Sequence, residues 1–240
     1  TYALAGVNDT VEVMAELCQE LVYSLGAKPY YLHHPDLVRG TGHFRVPIAR
    51  QNRLVAIEGN HDMPRLWSVL GENDASYRLA LLYLATIPRV PQIYYGAEVL
   101  MTSPTERDDA AARRDFPGGW PGDTVNAFTG AGLSPAQREM QDWVRRLFTW
   151  RKANPVIHQG QLMQYAPQQG CYVFFRYDGE RTVMVALNKN DQPVTLSLDR
   201  FVERIRGDEQ ARDVLGGSSF KLGPTLTVPA RSPLVLALQR

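Results

Sequence analysis

The chain has little cysteine: two in 240 residues, Cys18 and Cys171, far apart in the sequence. They fit no metal-ligand spacing, and a cysteine-based zinc or iron–sulfur site needs several closely placed thiolates. Both read as ordinary reduced thiols. The chain also lacks an excess of either charge, with 26 Lys and Arg against 25 Asp and Glu, a net of +1. Nucleic-acid binding normally needs a clearly basic face, so no nucleic-acid partner is expected. No apolar run approaches the roughly 20 residues needed to span a bilayer, so no membrane partner is expected either. The opening residues, TYALAGVNDT, carry neither the charged start nor the apolar core of a secretory signal, which favours a cytoplasmic address. What is present is ordinary for a globular protein, 44% hydrophobic and 21% charged residues, in a length that suits one large domain or two small ones.

The most informative stretch is residues 53–65, RLVAIEGNHDMPR. Its short apolar run, Leu54 to Ile57, has the composition of a strand buried on both faces. The run breaks at Glu58-Gly59 and is followed at once by Asn60, His61 and Asp62. A buried strand ending in a polar cluster is how an α/β barrel presents functional side chains, although Gly, Asn and Asp equally suit a plain turn. Residues 77–87 (YRLALLYLATI) are apolar and long enough for a helix, and residues 90–100 (VPQIYYGAEVL) give a second short strand ending in Tyr94, Tyr95 and Glu98. Strand, helix, strand is the unit of a parallel sheet.

A polar loop follows at 102–125, and loops of that length in a compact domain are usually functional. Ser134-Pro135 then opens a helix, with Ser134 as N-cap, Pro135 in the first turn, and apolar residues at Met140, Trp143, Val144, Leu147, Phe148 and Trp150. After Pro155 the period changes. CYVFFRY, RTVMVALN, PVTLSL, PTLTVP and SPLVLALQ are short strand-like runs separated by turn residues, as in a small antiparallel β-sandwich able to fold alone. Residues 199–207 suggest a short helix with Asp199 as N-cap.

HDMPR, then PQIYYGAE, then DFPGGW resemble, in order and spacing, the α-amylase family of glycoside hydrolases, in its cyclomaltodextrinase and neopullulanase branch. The resemblance runs from about residue 51 to the C-terminus. It implies barrel strands seven and eight in residues 51–154 and a C-terminal β-sandwich in 155–240. The expected fold class is therefore a partial (β/α)8 barrel followed by an antiparallel β-sandwich. The family hydrolyses α-1,4-glucosidic bonds with retention, and Asp62 matches its third carboxylate, which stabilises the oxocarbenium-like transition state. His61 would hydrogen-bond the sugar at the cleavage point, with Asn60 beside it. Trp120 and Phe116 invite stacking on pyranose faces, although Phe116 equally suits loop packing. Arg65, Tyr95 and Glu98 read as supporting residues. The nucleophile and general acid of the family lie on strands four and five, which have no counterpart in these 240 residues, so cleavage by this chain alone is not expected. The expected ligand is an α-glucan or maltooligosaccharide. Exposed barrel edges would favour homo-oligomers, and a parent hydrolase could be periplasmic. A non-catalytic carbohydrate-binding or structural role is the alternative.

Residues 1–48 resemble a different family. GVND, PYYLHHPDL and GTGHFRVP are similar to a late barrel segment of lysine 2,3-aminomutases, radical enzymes that use S-adenosylmethionine, an iron–sulfur cluster and pyridoxal phosphate. The residues themselves suggest a helix over 11–25 and a strand over 29–32. The resemblance implies that Asp36 holds a substrate ammonium. The three cluster cysteines of that family are missing, and His33, His34 and His43 do not complete a zinc set, so no cofactor and no metal is assigned. The two resemblances meet at 47–53 without a Gly/Ser-rich linker, as in a chimera.

Overall fold

A computed structural model describes residues 55–239 except Asp208. The helix expected over 11–25, the strand over 29–32, Cys18, Asp36, the three histidines and the junction at 47–53 lie outside the described residues.

Strands β1 (Val55–Ile57) and β2 (Val90–Gln92) pair in parallel, with Val55 opposite Val90 and Ile57 opposite Gln92. Helices α1 (Leu66–Val69) and α2 (Asp74–Thr86) connect them. Asn73 caps α2, its Oδ1 accepting the Ser76 N–H at 2.9 Å, and supplies one of the four unpaired donors at the helix start with a partner. Leu79, Leu81, Leu82 and Ala85 are fully buried, so α2 is covered on more than one side. β1 departs from expectation: Val55 is 56% exposed where a strand buried on both faces was expected, and Val90 of β2 is 48% exposed. Among the described residues each strand has only the other as neighbour, and a two-stranded ribbon cannot cover both of its own faces.

A 3-10 turn, Ala97–Val99, and a short helix α3 (Asp109–Ala112) lie in the long connection to α4 (Pro135–Ala153). α4 begins with a reciprocal capping box: Ser134 Oγ accepts the Gln137 N–H at 3.2 Å while Gln137 Oε1 accepts the Ser134 N–H at 2.9 Å. Met140, Trp143, Val144 and Leu147 form its buried stripe, whereas Phe148 and Trp150 are half-buried. Asn154 ends the helix, and α5 (Pro155–His158) turns the chain into the β region.

There β3 (Gln161–Gln168), β4 (Cys171–Tyr177), β5 (Thr182–Asn188), β6 (Val194–Ser197), β7 (Gln210–Asp213), β8 (Ser219–Lys221), β9 (Thr225–Val228) and β10 (Pro233–Gln239) form two antiparallel layers. One is a six-stranded sheet in the order β3-β4-β5-β10-β7-β8, and the other is the β6–β9 ribbon. Alternation along β4 and β5 divides the large sheet into two faces. Val173, Phe175, Met184 and Ala186 pack with Val194, Leu196, Leu226 and Val228 of the ribbon. Tyr172, Phe174, Val183 and Val185 instead share one core with Leu79, Leu82, Met140 and Leu147 of α2 and α4. The architecture is thus part of an α/β barrel followed by a β-sandwich. One face of the sandwich's main sheet is closed by the preceding helices. The helix expected over 199–207 is also corrected. Only a 3-10 turn, Leu198–Phe201, forms, preceded by Ser197, because Leu198 and Phe201 are drawn into the sandwich core.

Candidate functional site

Asn60, His61 and Asp62 follow β1 directly. The Asp62 N–H donates to Asn60 Oδ1 at 2.8 Å, an Asx turn that aims the next carboxylate. His61 Nε2 lies 3.3 Å from Asp62 Oδ2. Arg113, just after α3, reaches over to both residues: its Nε donates to the His61 carbonyl at 2.8 Å and its Nη2 to Asp62 Oδ1 at 2.9 Å. The same Nη2 meets Asp109 at 3.0 Å, and Arg107 is 2.9 Å from Asp109 and 3.8 Å from Asp62. The hydrogen bond from Arg107, aided by its charge and by Arg113 and His61, holds the Asp109 carboxyl below its usual range. Exposed pairs of this kind add little stability. Their consequence is geometric: Asp62 is tied to the loop that follows β2.

Beneath this layer Arg65 and Glu58 are buried. Arg65 Nη1 donates to the Tyr95 carbonyl, and Nη2 to the Ala112 carbonyl at 2.8 Å. Its guanidinium lies 4.4 Å from the Tyr94 ring centroid and 4.7 Å from that of Tyr95. Its N–H donates to Ser103 Oγ at 2.8 Å, so one residue joins three segments around the site. Glu58 Oε1 accepts the Tyr94 N–H at 2.8 Å. Burial pushes the Glu58 carboxyl up to about 7; the Tyr94 bond and Arg65 pull it down, and the neighbouring Glu98 carboxyl adds to the rise. Tyr77 donates to the Ala97 carbonyl at 3.0 Å, and Tyr95 Oη donates to the Arg114 carbonyl at 2.8 Å. Glu98 Oε2 is buried without a hydrogen bond.

The loop beyond Arg114 carries the aromatics. Phe116 is half-buried against Val99, Met101, Ala127 and Leu133. Trp120 is 64% exposed. At Gly59 an added Cβ meets nothing within 4 Å, so the space there does not demand glycine.

Asn60, His61, Asp62, Arg65, Tyr95 and Glu98 therefore gather at the ends of β1 and β2, with Phe116 and Trp120 on the adjoining loop. Asp36 lies outside the described residues. Sequence reasoning passed over Glu58, Asp109, Arg113 and Phe128. Glu58 had a usable signal, a carboxylate ending an apolar run. Arg113 had none, since its target lies 51 positions away. Among the described residues no cluster of His, Cys, Asp and Glu could hold a metal ion, and no helix is long and apolar enough to cross a membrane.

Residues 46–154 match the α-amylase catalytic domain, and residues 162–237 match the cyclo-malto-dextrinase C-terminal domain. The maltogenic α-amylase of Bacillus acidopullulyticus is 28% identical over 154 residues, 62% of this chain and 24% of the relative. The cyclomaltodextrinase of Geobacillus thermopakistaniensis is 26% identical over 142 residues, 58% of this chain and 21% of the relative. The chain thus spans less than a quarter of the length of these relatives. Among solved structures, an Anoxybacillus α-amylase superposes with a TM-score of 0.67 at 18% identity, covering 92% of this chain and 45% of the other. The Nostoc punctiforme debranching enzyme does so at 0.56 and 26% identity, over 77% and 35%. A separate similarity, 45% identity over 56 residues, links 23% of this chain to 11% of the L-lysine 2,3-aminomutase of Bacillus subtilis. Residues 46–154 and 162–237 thus make a fragment that resembles the α-amylase family of glycoside hydrolases, catalytic-domain sequence followed by a cyclomaltodextrinase-type C-terminal domain.

Proposed function

We propose that this chain recognises α-1,4-glucans at the ends of β1 and β2, and that Asp62 and His61 address the sugar at the scissile bond. The observation that carries the reading is the fixed pair itself: a carboxylate 3.3 Å from an imidazole, oriented by Arg113 from the following loop. A fixed anion beside a developing oxocarbenium and a donor to the sugar hydroxyls are the two electrostatic contributions such a strand end can make. Solved relatives include complexes with maltose, maltotriose and acarbose, which supports a maltooligosaccharide as ligand here. Bond cleavage needs a nucleophile and a general acid as well, and no residue of this chain matches them. The proposed division therefore runs between residues 51–154, which hold the strand-end groups, and residues 155–240, which brace them. The exposed Val55, Ile57 and Val90 further suggest that the β1–β2 ribbon pairs with more strands, in a second copy or in the remainder of a barrel.

Titration calorimetry with maltoheptaose and a reducing-sugar assay on the same sample test the reading. Binding without sugar release is expected, with Asp62→Asn and His61→Ala each weakening the affinity. Absence of binding by the unaltered protein would sink it, and sugar release would show that the chain holds its own nucleophile and acid.

A further inference from the structure

Among the aromatic side chains of the described residues, Phe128 at 73% and Trp120 at 64% are the most exposed, and both sit on the loop that follows β2. Apolar residues exposed singly are ordinary, whereas exposed aromatics grouped on one loop are a binding-surface signal. Here their supports are rigid. The turn at 117–123 is closed by Asp123, whose Oδ2 accepts N–H groups from Gly118 at 2.8 Å and Trp120 at 3.1 Å. The turn at 126–131 is closed by Asn126, whose Oδ1 accepts those of Phe128 at 3.0 Å and Thr129 at 3.1 Å.

The two turns are docked on each other. The Ala127 N–H donates to the Pro117 carbonyl at 3.0 Å, and a Cβ on Gly118, at φ +95°, would stand 2.6 Å from Asn126 Cγ. Gln141 of α4 donates to the Ala127 carbonyl at 2.9 Å, fixing the pair to the helix. Phe116 roots in the Val99–Leu133 cluster and meets the Phe128 ring edge-on, with centroids 5.1 Å apart. Phe116 thus supports Phe128 from below and leaves most of that ring to solvent.

We propose that Phe128 is the outer ring of an aromatic platform, shared with Trp120, on which glucose units of an α-1,4-glucan stack beside the Asp62 site. The proposal rests on the reading that this chain binds α-glucans. The C–H face of a pyranose is apolar and weakly positive, complementary to the negative face of an aromatic ring. A glucan is the fitting occupant because the same loop supplies Arg113, which holds Asp62 and the His61 carbonyl of the strand-end site. Both turns belong to the connection after a parallel strand, the end at which barrel enzymes assemble their sites. Pre-closed turns also lower the ordering cost of binding.

The test uses the full chain, titrated with maltoheptaose, maltose and the β-linked cellohexaose. Of the four tryptophans, Trp67 and Trp143 are buried and Trp150 is half-buried, so iodide quenching of fluorescence reads mainly Trp120. Maltoheptaose should protect Trp120 from iodide, whereas cellohexaose should not. Phe128→Ala and Trp120→Ala should each weaken maltoheptaose about tenfold while leaving maltose nearly unchanged. Because both side chains are exposed, thermal melting should stay unchanged. Unaltered maltoheptaose affinity in Phe128→Ala, with His61→Ala still impaired, would overturn the platform and leave the strand-end reading intact. No maltoheptaose binding by the unaltered chain would overturn both. A loss of self-association in Phe128→Ala, with sugar affinity unchanged, would reassign the ring to a protein contact.

Discussion

The β1–β2 ribbon and the β4–β5 pair are built from similar residues and end in opposite situations. Val-Ala-Ile in β1 leaves Val55 and Ile57 exposed, whereas Val173 to Phe175 in β4 and Val183 to Ala186 in β5 are buried on both faces. Composition does not separate them; neighbours do. β5 has strands on both edges, helices on one face and the β6–β9 ribbon on the other. β1 has one partner strand among the described residues. The better-covered region is therefore expected to carry stability, while the other holds the polar ends proposed to meet a ligand.

The sharpest way to break this contrast is at the seam. Phe174 meets Tyr83 of α2 edge-to-face at 6.2 Å and lies in the core shared by the helices and the sheet. Phe174→Ala should cost about 3–5 kcal/mol, typical of emptying a buried phenylalanine site. If the seam makes helices and sandwich one cooperative unit, calorimetry will show a single transition at a lower temperature. Two separated transitions would mean that the sandwich stands alone after all.

A smaller effect should appear with pH. The Glu58 carboxyl has an ordinary value of 4.5 and rises to about 7 in the folded chain, facing Arg65, Glu98 and Tyr77. The folded state keeps a proton that the unfolded chain loses, so this contribution is complete below 4.5 and fades as pH climbs through 7. Melting temperatures at pH 5 and pH 8 should therefore differ less in Glu58→Gln than in the unaltered protein. An unchanged difference would show that Glu58 does not carry this proton linkage.

The mildest change concerns a feature that neither region depends on. Ser134→Ala removes half of the capping box of α4 and should lower stability by about 1 kcal/mol in urea unfolding, with glucan affinity unchanged.

Local signals were legible where the chemistry is local. Ser134-Pro135 announced the start of α4, and the spacing of Met140, Trp143, Val144 and Leu147 announced its buried stripe. CYVFFRY and RTVMVALN became β4 and β5. By contrast β3, β7 and β8 escaped notice, because Gln161–Gln168 contains Pro167 and several glutamines, Gln210–Asp213 is mostly polar, and Ser219–Lys221 is very short. Sheet pairing recruits such segments through backbone hydrogen bonds, which leave no mark in side-chain pattern. At the site, Asn60, His61 and Asp62 stood out as a contiguous cluster, whereas Arg113 and Phe128 matter only through contacts distant in sequence or through exposure.

By itself the sequence determined the succession of parallel strands, capped helix and antiparallel strands, together with the polar cluster behind β1, since these depend on residue type and short-range spacing. The tertiary structure decided the rest. It left β1 half bare, gave the main sheet two different covers, raised Glu58 by burying it beside Glu98, and left Phe128 in solvent on two interlocked turns. Apolar period says which side chains seek cover, and only packing says which of them find it.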